Sequence, residues 1–129
     1  MKSYAETSKI LIRYALSLLL IWFGLNQLID PISFLGYVPK FVPFSASLML
    51  ILNGLLDLVL GRLLITGFKV RIVSFIIFLH VIVIALSLGY NDVAARDVFI
   101  ALVSLSIFLS GSDRFSLDRY LLKRKMRKD

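Results

Sequence analysis

No cysteine occurs in the 129 residues. Thiol–disulfide chemistry and thiolate metal sites are therefore excluded. His80 is the single histidine, so imidazoles alone cannot form a metal site either. The chain shows no glycine-rich phosphate loop, no zinc-ligand spacing and no nucleophile triad. Acids are scarce: eight Asp and Glu stand against fifteen Lys and Arg, a net charge of +7. In a soluble protein that excess would suggest nucleic acid. Here only the basic C-terminal end speaks for it, and no nucleic-acid partner is expected. Membrane topology and anionic lipid account for the charge instead.

Apolar residues are what the chain has in quantity, at 59% of the total, with a mean hydropathy of +0.89. Charges fall in a few blocks. Apolar runs of about 17 residues separate them, each nearly long enough for ~30 Å of hydrocarbon at ~1.5 Å per residue. The pattern predicts an all-α membrane protein, a bundle of four transmembrane helices over about 10–28, 45–66, 72–88 and 93–111. The whole chain, 1–129, reads as one membrane domain with a basic tail over 112–129. The first run is read as a retained span, not a signal peptide. It is long, Glu6 interrupts its basic start, and no small-x-small cleavage site follows Trp22-Phe23-Gly24.

Asp30-Pro31 ends the first span, because the residue before proline disfavours helical geometry. The next stretch, up to Phe44, holds three prolines with Phe34, Tyr37, Phe41 and Phe44. It reads as an interfacial segment with its rings at headgroup depth, or as a lid folded over the bundle mouth. After the fourth span, Ser116 is placed to cap a short amphipathic helix. That helix would lie on the membrane surface, with Lys123, Arg124, Lys125, Arg127 and Lys128 against anionic lipid. With four spans, all of the 15 Lys and Arg except Lys40 and Arg96 fall on the side of the termini. By the positive-inside rule both termini are expected in the cytoplasm, which places the protein in a plasma or inner membrane.

An acid inside a span is expensive in hydrocarbon and demands a polar interior. Asp57 is such an acid, with Asn53 four residues before it on the same helical face. Gly54 and Gly61 share that face with Ser47 and Leu50, and small residues let helices approach closely. His80 lies near the middle of the third span. Arg13, in the first, either snorkels to the headgroups or turns inward to meet an acid. Arg13, Asn53, Asp57 and His80 are thus a candidate interior polar or ligand site. Nearer the opposite mouth, Asn26, Gln27 and Asp30 stand with Arg96 and Asp97, which need not pair because adjacent helical residues diverge. Asn26, Asp30, Arg96 and Asp97 form a candidate outer-mouth site. Such a column could relay protons, hold a small polar ligand, or face the headgroup of a quinone. A haem held axially by His80 and Met49 is a further alternative. No metal site and no cofactor are evident from the residues.

From Ile12 to Leu121 the chain resembles the DoxX family of small four-span membrane proteins. Arg13 and Trp22-Phe23-Gly24 carry the likeness in span one, with Asp30-Pro31 after it. Asn53-Gly54-Leu55-Leu56-Asp57-Leu58-Val59-Leu60-Gly61 resembles the family's glycine–acid–glycine pattern, with Asp57 where the family often has Glu. Arg96-Asp97 opens span four and Phe115-Ser116-Leu117-Asp118 closes the match. The resemblance implies a four-helix bundle. It also points to relatives that act as a quinone-linked subunit of a thiosulfate-oxidising complex, in redox-stress complexes, or as membrane assembly factors.

The expected function is that of an accessory or structural subunit of a membrane complex, with lipid or quinone as candidate ligand. Its expected partners are the bilayer and other membrane subunits or a second copy of itself. The alternatives are a quinone-linked oxidoreductase subunit, with Asp57 and His80 handling protons, and an oligomeric small transporter or channel. Nothing in the sequence makes it an enzyme on its own.

Overall fold

Capping chemistry and proline set the helix boundaries. The computed structural model describes residues 2–38, 40 and 45–129. Helix α1 (Lys2–Ile29) stops at Asp30-Pro31, and a 3-10 helix, Pro31–Tyr37, follows it. Pro39, Phe41 and Phe44 of the proline–aromatic segment lie outside the described residues. Ser45 caps α2 (Ala46–Thr66) by accepting from the Leu48 amide. Gly67 ends it in the left-handed region at φ +73°. Helix α3 (Val70–Leu88) ends at Gly89, and Asn91 caps α4 (Asp92–Ser110) by accepting from the Ala94 amide. Ser116 caps α5 (Leu117–Met126).

The first helix starts eight residues earlier than its apolar run. Nothing in the first polar turns breaks a helix, and Glu6 pairs with Lys9 one turn on. At 28 residues, α1 is about 42 Å long, more than the hydrocarbon core needs, so its start projects beyond the bilayer. There Glu6 accepts from the Arg114 amide and from the Arg119 guanidinium, each at 3.3 Å.

Four helices, α1 to α4, are long and apolar enough to cross a membrane. Protein buries only 28–33% of each span. The rest, including Trp22, Leu86, Phe99 and Leu109, turns apolar surface outward, far more than water tolerates. The protein is thus a multi-pass integral membrane protein. Arg13, Ser17, Leu20, Gly24 and Gln27 form the buried stripe of α1, and Leu50, Gly54, Asp57 and Gly61 of α2 are buried on the expected face. Ser47, expected on the α2 stripe, is exposed near the helix start.

The bundle is two tight hairpins, α1 on α2 and α3 on α4, with sparser contact between them. Glycine explains the first pair. A methyl group on Gly24 would lie 2.7 Å from the Gly54 carbonyl oxygen, and one on Gly61 would lie 3.1 Å from the Ser17 carbonyl oxygen. The backbones touch directly, as small-residue interfaces permit in lipid. Leu16, Leu20, Leu60, Leu64, Val73, Ile77 and Ile107 fill the centre where the hairpins meet.

The tail is more than a charged appendage. Lys69, the residue before α3, sits at φ +47° and has no side-chain cap of its own. Asp118 supplies the cap from the tail, accepting from the amides of Lys69 at 2.6 Å and Val70 at 2.8 Å. Its own amide donates to the Gly67 carbonyl. Replacing Asp118 with alanine removes an N-cap worth about 1 kcal/mol. Hydrogen exchange at the Lys69 and Val70 amides should then accelerate, while exchange at mid-α3 stays unchanged.

Candidate functional site

Polar side chains occupy the bundle interior at two depths. The first lies on the side of the termini. Arg13 and Asp113 are each 1% exposed. Arg13 Nε donates to Asp113 Oδ2 at 2.6 Å and Nη2 donates to Oδ1 at 3.1 Å. Nη1 donates to the carbonyls of Leu64 and Ile65, at 2.7 and 2.6 Å, at the end of α2. Asp113 Oδ1 also accepts from the Phe115 amide. One guanidinium thus ties α1, the end of α2 and the segment after α4 together. A cation there also complements the negative end of the α2 dipole. Among the described residues no buried side-chain polar atom at this level lacks a partner, so the arrangement is a clasp.

Arg13 therefore does not join the interior site with which it was grouped. It faces inward to an acid, but that acid is Asp113. From the α3 start at Val70 to His80 the helix climbs on the order of 15 Å, which separates the clasp from the second level.

The second level joins residues expected at two depths. Asn53 Nδ2 donates to Gln27 Oε1 at 2.8 Å and to Asp57 Oδ2 at 3.3 Å. Gln27 Nε2 reaches the same Asp57 oxygen at 3.5 Å. His80 Nε2 stands 3.8 Å from Asp57 Oδ1, close but beyond hydrogen-bond length. Arg96 and Asp97 belong here too, from the adjoining turn of α4. The expectation that they need not pair is corrected: Arg96 Nε and Nη2 both donate to Asp97 Oδ1, at 2.9 and 2.8 Å. The arginine side chain is long enough to fold back along the helix to its neighbour. Its guanidinium also lies 4.6 Å from the centre of the Phe23 ring, a cation–π contact.

Asn26 and Asp30 stand apart from Arg96 and Asp97, which separates the expected outer-mouth group. Asn26 Nδ2 donates to the Trp22 carbonyl one turn back, and Asp30 accepts from the Ser33 hydroxyl. Both are satisfied locally. Gln27 takes the interior place instead. Its spacing on the Arg13–Ser17–Leu20–Gly24 stripe is the signal that puts it there. Asp113 was the residue missed. Its signal was an acid just past Gly111, at the same membrane depth as Arg13.

Gln27, Asn53, Asp57, His80, Arg96 and Asp97 line one partly enclosed cavity of about 70 Å³. Apolar walls come from both hairpins, and Val38 of the connecting segment contributes on the side away from the termini. Two buried atoms among the described residues have no hydrogen-bond partner, Asn53 Oδ1 and His80 Nε2. Both residues line this cavity. Unpartnered buried polar atoms are costly, more so in a lipid-embedded interior. The space has room for a few water molecules or a small polar group. It is about half the ~150 Å³ that encloses a benzene. A haem therefore does not fit, although Met49 and His80 both face the space. No cluster of three or more His, Asp or Glu among the described residues could hold a metal ion.

No curated protein and no solved structure gives a significant match to the chain. The family model DoxX matches residues 8–89, which takes in α1, α2 and α3 with the Asn53–Asp57 and His80 positions. With that match over more than half of a chain that folds as four apolar helices, the protein belongs to the DoxX family.

Proposed function

We propose that the protein is an accessory subunit of a membrane protein complex, held in a plasma or inner membrane with both termini in the cytoplasm. The observation that carries this reading is a groove between α1 and α4. Those two helices pack loosely against each other. They leave about 370 Å³ lined by Ile12, Ala15, Phe99, Leu102, Val103 and Ser106. Ala15 and Ser106 are small residues of the kind that let a further helix approach closely in lipid. Charge supports the orientation, since Lys2, Lys9, Arg62, Lys69, Arg71 and the basic tail share the side of the termini. In α5 no residue is buried, and Tyr120, Leu121, Leu122 and Met126 are exposed. This helix suits an anionic membrane surface, with Lys123, Arg124, Lys125, Arg127 and Lys128 reaching the headgroups.

Native mass spectrometry of the protein, extracted gently from its own membrane, tests the proposal. The expected spectrum contains one or more other membrane subunits, or further copies of this chain. The substitutions Ala15→Leu and Ser106→Leu should dissociate them without unfolding the bundle. A monomer in every mild detergent would contradict the reading.

A quinone-linked role, with Asp57 and His80 handling protons, is the second reading. The unpartnered His80 Nε2 beside Asp57 favours it. A quinone, however, offers only acceptor carbonyls, which cannot satisfy Asn53 Oδ1, and the cavity admits no more than the edge of its ring. Quinone reduction by membranes carrying Asp57→Asn decides this reading. An unchanged rate removes it.

A further inference from the structure

The atoms left without partners at the second level are acceptors or can act as acceptors. Asn53 Oδ1 is an acceptor, because Nδ2 of the same amide is committed to Gln27 and Asp57. Among the described residues Asp57 Oδ1 accepts no hydrogen bond, since both donors to this carboxylate reach Oδ2. His80 Nε2 is an acceptor in one neutral tautomer. Asp57 Oδ1 and His80 Nε2 are 3.8 Å apart, so one nitrogen can sit at hydrogen-bond distance from both. The charge count points the same way. Two acids, Asp57 and Asp97, line the cavity with one guanidinium, Arg96, so with both acids ionised and His80 neutral one carboxylate lacks a cation. Water could satisfy the acceptors too, but only a cation also offsets a carboxylate that is ionised there, and isolated charge is expensive inside a membrane.

We propose that the cavity binds the primary ammonium group of a small free alkylamine. Its three N–H donors match three acceptors on three side chains, Asn53 Oδ1, Asp57 Oδ1 and His80 Nε2. Its charge balances the excess carboxylate. Its first carbons lie against the apolar wall of Leu20, Val81 and Ile84. A volume of about 70 Å³ takes an ammonium and a carbon or two. The phosphate of a phosphatidylethanolamine headgroup would have to stay outside this space, and the proposal takes the free amine as the source. A quaternary ammonium carries the charge but no N–H donor, and an alcohol carries a donor but no charge. Both are therefore poor ligands.

His80 is the only histidine, so its ring nitrogens give an unambiguous NMR signal. The experiment titrates ethylammonium chloride into the ¹⁵N-histidine-labelled full chain in phosphatidylcholine nanodiscs at constant pH. Sodium chloride, tetramethylammonium chloride and ethanol are titrated in parallel. The expected result is a saturable shift of the His80 signals with ethylammonium, and binding roughly tenfold or more weaker for each of the other three. Asp57→Asn and Asn53→Ala should weaken ethylammonium by a similar factor. The ligand panel on the unmodified chain stands even if a variant fails to fold. No saturable shift with ethylammonium, or an equal shift with tetramethylammonium or sodium, overturns the proposal. So do signals already at the bound position in phosphatidylethanolamine nanodiscs, which would make the lipid the source. The outcome does not depend on whether the protein is found in a complex.

Discussion

Replacing Arg13 with methionine is expected to destabilise the bundle by about 3–5 kcal/mol, the cost of breaking a buried ion pair from one side. The variant leaves Asp113 charged and 1% exposed, with only the Phe115 amide for company. It also strips the carbonyls of Leu64 and Ile65 of their donor. Asp113→Leu alone should cost a similar amount, by leaving the guanidinium unpaired. The double variant Arg13→Met/Asp113→Leu should recover a large part of the loss, because replacing both partners of a buried pair with apolar groups is often close to neutral. Unfolding in mixed micelles, followed by circular dichroism, reads all three. If the single variants lose less than about 1 kcal/mol, the value of an exposed ion pair, the clasp is not buried as described.

The second large effect is expected at Gly24. A single added methyl meets the Gly54 carbonyl oxygen at 2.7 Å and Leu58 Cγ at 2.8 Å. The first obstacle is backbone and cannot rotate away, so α1 and α2 must separate. Overpacking of this kind costs about 1–3 kcal/mol, and Gly24→Ala should fall at the upper end of that range. Gly24→Val adds two more carbons to the same contact and should prevent the hairpin from forming. Gly36 is the matched control. A methyl there meets nothing within 4 Å, so Gly36→Ala should leave stability unchanged. The same micelle titration compares them. Equal stabilities for Gly24→Ala and Gly36→Ala would mean that the helices do not touch there.

Span existence was legible because it rests on length and apolarity, which a bilayer imposes on every chain. The inward stripes were legible for a related reason. A polar or small residue in a span has one tolerable direction, so Arg13, Ser17, Gly24 and Gln27 in α1 and Gly54, Asp57 and Gly61 in α2 identify the buried face by themselves. Depth was harder. The sequence reading grouped Arg13 with Asp57 in one site and set Arg96 and Asp97 at another depth. In the folded chain, sliding one helix against another by a turn puts Arg96 and Asp97 beside Asp57. Arg13 lands beside a residue outside any span. Spacing within one helix carries no information about such sliding. It depends on the Gly24–Gly54 contact and on where the turn at Gly67 places α3.

The tail shows the other limit. Ser116 was readable as a cap because a cap acts on its own helix. Asp118 closes α3 from almost fifty positions away in sequence, and local spacing relates it only to its own helix, α5. Lys69 at φ +47° left the unmet need, but a backbone angle is not visible in a sequence.

The Arg13–Asp113 clasp lies between the polar layer around Asp57 and the terminal side, so that layer is expected to be reached from the side away from the termini. The chain has no cysteine, so single substitutions can be labelled without background. Ile84→Cys places a thiol on the cavity wall, and Ser17→Cys places one in the buried stretch between the two layers. Sealed vesicles of known orientation are treated with a charged, membrane-impermeant thiol reagent on one face at a time. The expected result is labelling of Ile84→Cys only from the face opposite the termini, and no labelling of Ser17→Cys from either. Labelling of Ile84→Cys from the terminal face, or of Ser17→Cys from any face, would contradict a polar layer closed by the clasp.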